Sequence, residues 1–310
     1  MWMAGDFLQL PKGNMTLEEV GYAYFDDLTS RSFFQPIPNN EYRGLEYKHR
    51  GELFVMHALI HELATHVAGD FYFRLEKDGN KIDKKTRHLS CNYQNHACSD
   101  LELFKKIKSL RTFLGLKFCY ISRFVGNVSH ILPSNMKCLR MLSLQGLRAL
   151  RVVPESIGEF IHLRYLDLPN TSIESLPGSM CKMYNLQTLL CFCQYLEVLP
   201  NDMQDLVNLR HLDLSSSNRI VSLPNSLCKL YNLQTLKLKD CRRLQMLPSD
   251  TQDLVNLRHL DVRNTSLKEM PRGLGKLKNL QFLSELLLEK SKGSGLENGR
   301  NAKFKELDCN

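Results

Sequence analysis

The chain has 310 residues, 43% of them hydrophobic and 24% charged, with a formal net charge of +8. This is the composition of a globular protein with room for roughly two domains of ~150 residues each, and it excludes disordered and collagen-like chains. No apolar stretch reaches the ~18 residues that a membrane helix requires, and Met1 to Phe7 lacks the basic and apolar segments of a secretory leader.

The ten cysteines, at 91, 98, 119, 138, 181, 191, 193, 228, 241 and 309, form no Cys-x-x-Cys pair. They read as reduced cytosolic thiols, mostly buried as small hydrophobes, rather than as a disulfide framework or a zinc site.

The first element is announced by Thr16, three residues before Glu19. That spacing is a capping box, in which each residue satisfies a free amide at a helix start. Leu17, Val20, Tyr24 and Leu28 then recur at helical spacing, so residues 16–30 are expected to form an amphipathic helix. Ser32 to Gln35 reads as extended. Pro36 and Pro38 with Asn39 and Asn40 break it, and the polar stretch through Gly51 reads as a loop or wing. Leu53 to Met56 resumes as a strand leading into a second helix, His57 to Ala68, closed by Gly69. Helix, strand, wing, strand, helix is the order of a winged-helix half.

Histidines in this second helix invite a zinc reading, which needs two of them at i and i+4 plus a third ligand. His61 and His66 are five apart, and His57 and His61 have the spacing but no third ligand, so no metal site is expected. Between Arg74 and Lys117 there are eleven Lys or Arg against five Asp or Glu. That stretch reads as a solvated linker flanking irregular first repeats, with nucleic-acid binding by the winged helix kept as an alternative.

The second half is periodic. Leu-x-x-Leu-x-Leu begins at Leu139, Leu163, Leu186, Leu209, Leu233, Leu257 and, less well, Leu280, in steps of 23 or 24 residues. Prolines at 154, 177, 200, 224, 248 and 271 keep the same step. In the unit starting at Leu209, the leucines at 212 and 214 point to one face of an extended segment while His211, Asp213 and Ser215 point to the other. Pro224 ends the extended run and starts a turn or short helix, whose Leu227 and Leu230 close the far side of the coil. One unit cannot bury its own apolar side chains, so the units must stack as a solenoid with one parallel strand per repeat. A two-repeat block is duplicated: Tyr184 to Leu189 recurs as Tyr231 to Leu236, and Gln204 to Asp213 as Gln252 to Asp261.

Stacking aligns the third and fifth strand positions into columns on the concave surface. One runs Met141, Tyr165, Thr188, His211, Thr235, His259, Phe282, and the other Ser143, Asp167, Leu190, Asp213, Lys237, Asp261. Aromatic and charged side chains in a groove suit recognition of a protein surface. The candidate binding residues are Tyr165, Asp167, Arg210, His211, Asp213, Lys237, Arg258, His259 and Asp261. No Ser-His-Asp or paired-carboxylate arrangement stands out, so no enzyme is expected. Gly-x-x-x-x-Gly-Lys-Ser/Thr is absent from the sequence, and Gly273 to Lys276 is too short to replace it as a phosphate cradle. Cys181 and Cys228 hold equivalent repeat positions, and Cys191 and Cys193 flank Phe192 near a strand end; all four read as core.

Leu163 to Pro177 and Leu233 to Pro248 resemble the leucine-rich repeats of plant nucleotide-binding leucine-rich-repeat disease resistance proteins. Trp2 to Leu8, Tyr24 to Gln35, Met56 to Ala64 and Arg87 to Ser90 resemble the winged-helix end of that family's nucleotide-binding module and the passage into its repeats. The resemblance implies that His57 corresponds to the histidine of a Met-His-Asp triplet that reaches the phosphates of ADP and holds the receptor off. Met56 and His57 match, and Ala58 stands where the family has Asp, a change that in the family favours the activated form.

The expected architecture is an α/β solenoid, a leucine-rich-repeat horseshoe preceded by a partial winged-helix α+β domain. Its expected parts are a winged-helix subdomain over 1–89, a linker with irregular first repeats over 90–137, repeats over 138–288 and a polar tail over 289–310. No polar capping repeat is seen after Leu288, so that end of the array is expected to be exposed, cut short or covered. The implied function is plant defence in the cytoplasm, by recognition of a pathogen effector, a guarded host protein or the family's own nucleotide-binding module. Without a phosphate-binding loop the chain is expected to hold no ADP or ATP, which only a full-length relative would bind, and to be a truncated form. A non-signalling repeat scaffold or decoy adaptor is the other reading.

Overall fold

A computed structural model of the chain describes residues 1–5, 7–9, 15–37, 54–75, 82–92, 107–116, 136–145 and 150–284. The expected wing, the stretch 93–106 and the polar tail lie outside the described residues. The chain divides into two compact units, Met1–Phe73 and Arg74–Asn310.

In the first unit, helix α1 spans Leu17–Ser30. The capping box read from the sequence is formed: the Thr16 hydroxyl accepts from the Glu19 amide at 3.2 Å, and the Thr16 amide donates to the Glu19 carboxylate at 2.6 Å. Strands β1 (Phe34–Pro36) and β2 (Phe54–Met56) pair antiparallel with Phe34 opposite Met56. Phe25 of α1 stacks on Phe34, centroids 5.5 Å apart, and meets Phe54 edge-on at 4.8 Å. These aromatic contacts fasten the helix to the strand pair. Helix α2 covers Ala58–Ala68 and ends at Gly69, whose φ of 47° is open to a residue without a Cβ.

A ten-stranded sheet follows: β3 (Tyr72–Leu75), β4 (His88–Asn92), β5 (Thr112–Leu116), β6 (Met141–Ser143), β7 (Tyr165–Asp167), β8 (Thr188–Leu190), β9 (His211–Asp213), β10 (Thr235–Lys237), β11 (His259–Asp261) and β12 (Phe282–Leu283). From β4 onward every neighbouring pair is parallel, and the register carries the sequence period: Leu166 lies opposite Leu189, Leu189 opposite Leu212, and Leu212 opposite Leu236. Leu163, Leu166, Leu168, Leu186, Leu189, Leu209, Leu212 and Leu214 are all fully buried, forming one continuous spine.

The repeats begin earlier than the leucine signature does. Strand β4 straddles the boundary expected at residue 89, and the two units divide between Phe73 and Arg74. The reason is substitution inside the signature. Thr86, Leu89, Leu110 and Phe113 fill the buried positions that leucines hold in later units. The linking hydrogen bonds are the same throughout: the Arg111 amide donates to Arg87, Arg140 to Arg111, and Arg164 to Arg140.

Pro154, Pro177, Pro224 and Pro248 each cap a short 3₁₀ helix, and Leu227 and Leu230 close the far side as the spacing requires. Gly158 sits where a Cβ would strike the Ser179 backbone in the next 3₁₀ helix, so only glycine fits that approach. The turns after β7, β9, β10 and β11 each place a polar residue, Asn170, Ser216, Asp240 or Asn264, in the left-handed region at φ between 51° and 64°.

Two polar ladders cross-link the coils. Asn185, Asn208, Asn232, Asn256 and Asn279 each donate to a backbone carbonyl of the preceding repeat at 2.7 to 2.9 Å. On the buried side, Cys193, Ser217 and Cys241 donate to Leu168, Cys191 and Leu214 carbonyls at 3.1 to 3.2 Å. These groups satisfy carbonyls that the short strands leave inside the coil.

Candidate protein-binding face

The registered strands place seven of the nine expected binding residues, all but Arg210 and Arg258, in two columns of one face, but the face is not uniformly open. Tyr165 and Asp167 are 7% and 3% exposed, so they are buried rather than presented to a partner. The fifth-position carboxylates are also occupied, by side chains of the adjoining strand and by groups two residues further along their own chain segment. Asp167 accepts from the Ser143 hydroxyl at 3.0 Å. Asp213 accepts from the Ser215 amide at 3.0 Å and lies 4.0 Å from the Lys237 ammonium. Asp261 takes a bidentate pair from Arg263, at 2.9 and 2.7 Å. Burial pushes the Asp261 carboxyl up, and the Arg263 hydrogen bonds and charge outweigh it, holding the group below its ordinary range.

The accessible part of the face lies between β9 and β12. His211 meets the Thr235 hydroxyl through Nδ1 at 3.2 Å, a pairing repeated by His88 and Thr112 at 3.1 Å. His259 is exposed beside Phe282, ring centroids 6.3 Å apart. Partial burial, then the charges of Lys237 and Arg258 and of His211, lower its pKa, so it stays neutral at pH 7. Arg210 and Arg258 are half-buried at the strand entrances, and each accepts through its carbonyl the paired amides that begin the next strand. Lys237 is exposed, and Arg263, which the sequence did not single out, adds a second cation 6.0 Å from the Phe282 ring.

His57 lies in the other unit and serves as the N-cap of α2: its amide donates to the Phe33 carbonyl at 3.0 Å and its Nδ1 accepts from the Leu59 amide at 3.3 Å. Among the described residues no group of three His, Cys, Asp or Glu side chains could hold a metal, and no helix is long and apolar enough to cross a membrane.

The buried thiols behave as core. Cys181 and Cys228 are buried in equivalent 3₁₀ helices, and burial pushes both up to about 11. Cys191 and Cys193 are fully buried with sulfurs 3.1 Å apart.

Comparison with known proteins fits this arrangement. Residues 1–64 match the family model of the disease resistance protein winged helix domain, and residues 200–301 match that of a leucine-rich repeat region. The chain is thus similar at both ends to plant disease resistance proteins, in a winged-helix segment and in leucine-rich repeats. It is 38% identical over 61% of its length to putative disease resistance RPP13-like protein 1 of Arabidopsis thaliana, of which it covers 17%. Over 54% of its length it is 33% identical to putative disease resistance protein RGA1 of Solanum bulbocastanum, of which it covers 13%. The chain thus spans less than a fifth of these relatives. The leucine-rich repeat domain of the type III effector XopL shares the fold, with a TM-score of 0.54 at 20% identity over 89% of this chain and 97% of that one.

Proposed function

We propose that this chain acts in plant defence, in the cytoplasm, as a protein-binding module rather than an enzyme. Its open repeat face between β9 and β12 would engage a pathogen effector, a guarded host protein or a nucleotide-binding module of its own family. The observation that carries this reading is the registered set His211, Lys237, His259 and Phe282, with Arg263 of the following turn over the Phe282 ring, which sets aromatic, imidazole and cationic groups side by side. Such a face offers anchors and charge specificity without needing a loop to order on binding.

The test is affinity capture from healthy and infected leaf tissue with the wild-type chain and a Lys237→Glu/His259→Ala variant of unchanged melting temperature. A partner captured by the wild type and lost by the variant supports the reading, and capture only after infection separates sensing from a constitutive scaffold. Equal capture by both chains would overturn it. Addition of millimolar ADP or ATP is expected to leave the melting temperature unchanged, since the sequence supplies no phosphate-binding loop beside His57.

A further inference from the structure

Away from the concave face, the corner between each 3₁₀ helix and the strand after it repeats a second pattern. The last residue of six successive 3₁₀ helices is Glu159, Lys182, Asp205, Lys229, Asp253 and Lys276, a strict alternation of sign. All six are exposed, and among the described residues none of them is in an ion pair. Two residues further on stands a column of exposed apolar side chains, Ile161, Tyr184, Val207, Tyr231 and Val255, at 39% to 59% exposure, ending at Lys278. Five exposed apolar groups in line are more than the scattered singles of an ordinary surface. Part of both columns repeats with the duplicated two-repeat block, in which Tyr184 recurs as Tyr231, Asp205 as Asp253 and Val207 as Val255.

Six positions of alternating sign have a particular symmetry. Read forward against itself in register, the column sets like charge on like. Read backward, it sets Glu159 opposite Lys276, Lys182 opposite Asp253, and Asp205 opposite Lys229, so that every pair is complementary. Over its inner four positions the apolar column obeys the same reversal: Tyr184 falls opposite Val255 and Val207 opposite Tyr231, large against small each time, while at the two ends Ile161 meets Lys278. We propose that this edge is an interaction surface for a second copy of the chain, docked antiparallel about a two-fold axis that passes between the third and fourth of these units. A two-fold interface is self-complementary by construction, which is the property the two columns display. Antiparallel order about an axis pointing along the radius of the coil also keeps each column facing its own counterpart.

The size of the edge sets the strength. Five strand steps of ~4.8 Å give a strip about 24 Å long, and a width of ~15 to 20 Å leaves it below the ~800 Å² per partner of a standard interface. The dimer is therefore weak, forming in the range of tens to hundreds of micromolar, and it loosens as salt rises.

Sedimentation equilibrium of the full chain tests this. Its average mass is expected to climb with concentration to twice the monomer and stop there. Lys229→Asp sets two carboxylates against each other on both sides of the axis and is expected to weaken association at least tenfold, with Lys229→Gln intermediate if the reversal disturbs folding. The double exchange Asp205→Lys/Lys229→Asp restores both opposite-charge pairs and is expected to recover the dimer. A chain that stays monomeric to about 500 μM, or one that grows past the dimer, would overturn the proposal. So would a Lys229→Asp variant that associates like wild type, or a double exchange that fails to recover.

Discussion

Truncating Leu212 to Ala probes the register of the whole array. Leu212 is 0% exposed in the interior strand β9, facing Leu189 on one side and Leu236 on the other, which are 0% and 1% exposed. Removing three carbons forfeits about 2.4 kcal/mol of transfer free energy at ~0.8 kcal/mol each. Strand spacing is fixed by ladder hydrogen bonds on both sides, so the neighbours cannot close over the gap, and a cavity cost adds to the loss. The expected total is about 3 to 4 kcal/mol, read as a shift of the urea midpoint at unchanged slope by far-ultraviolet circular dichroism. Leu283→Ala in β12, paired to a described strand on one side alone and only half-buried, is expected to cost less, about 1 to 2 kcal/mol. Val198→Ala, 60% exposed, is expected to stay within ~0.5 kcal/mol of wild type. A Leu212→Ala chain indistinguishable from Val198→Ala would refute the stacked-leucine register.

Three further outcomes follow from the ladders and the face. Asn232→Ala removes the 2.8 Å bond to the Val207 carbonyl and should cost about 1 kcal/mol, lowering the melting temperature by roughly 2 to 4 °C; an unchanged melt would show that water replaces the amide without loss. The Cys241 thiol, pushed up to about 12 by burial, should resist iodoacetamide at pH 8 in the native chain while exposed Cys138 reacts. Cys241→Ala, which removes the thiol bond and leaves the Leu214 carbonyl to the Ser217 amide alone, should destabilise by no more than about 1 kcal/mol relative to Cys241→Ser, and equal labelling of both thiols would contradict the burial. Because the folded Asp261 carboxyl titrates below its ordinary 3.8, its contribution is fully present above that value and lost as pH falls through the folded pKa. Arg263→Gln should therefore flatten that part of the acid limb, and an acid denaturation profile identical to wild type would reject the pair as its source.

The period, the parallel strands, the short helices after the prolines and the capped first helix were all legible, because each rests on spacing that local chemistry enforces. The first repeats were less legible, since Thr86, Phe113 and Gly115 stand where the pattern wants leucine. The asparagine ladder was present in the sequence at the same step as the leucines. It carries no chemical signature there, because its acceptors are backbone carbonyls one coil away.

By itself, then, the sequence determined that this chain is a stacked repeat array behind a winged-helix segment, since hydrophobic periodicity admits few other ways to bury so many leucines. Only the tertiary structure decided which of the face residues are available. Tyr165 and Asp167 share their columns with His259 and Lys237, yet are buried among close neighbours, because a column assignment fixes direction and not cover. It also decided that His57 caps a helix through its own ring nitrogen, and that six charges from distant repeats end their helices in one line along a single edge.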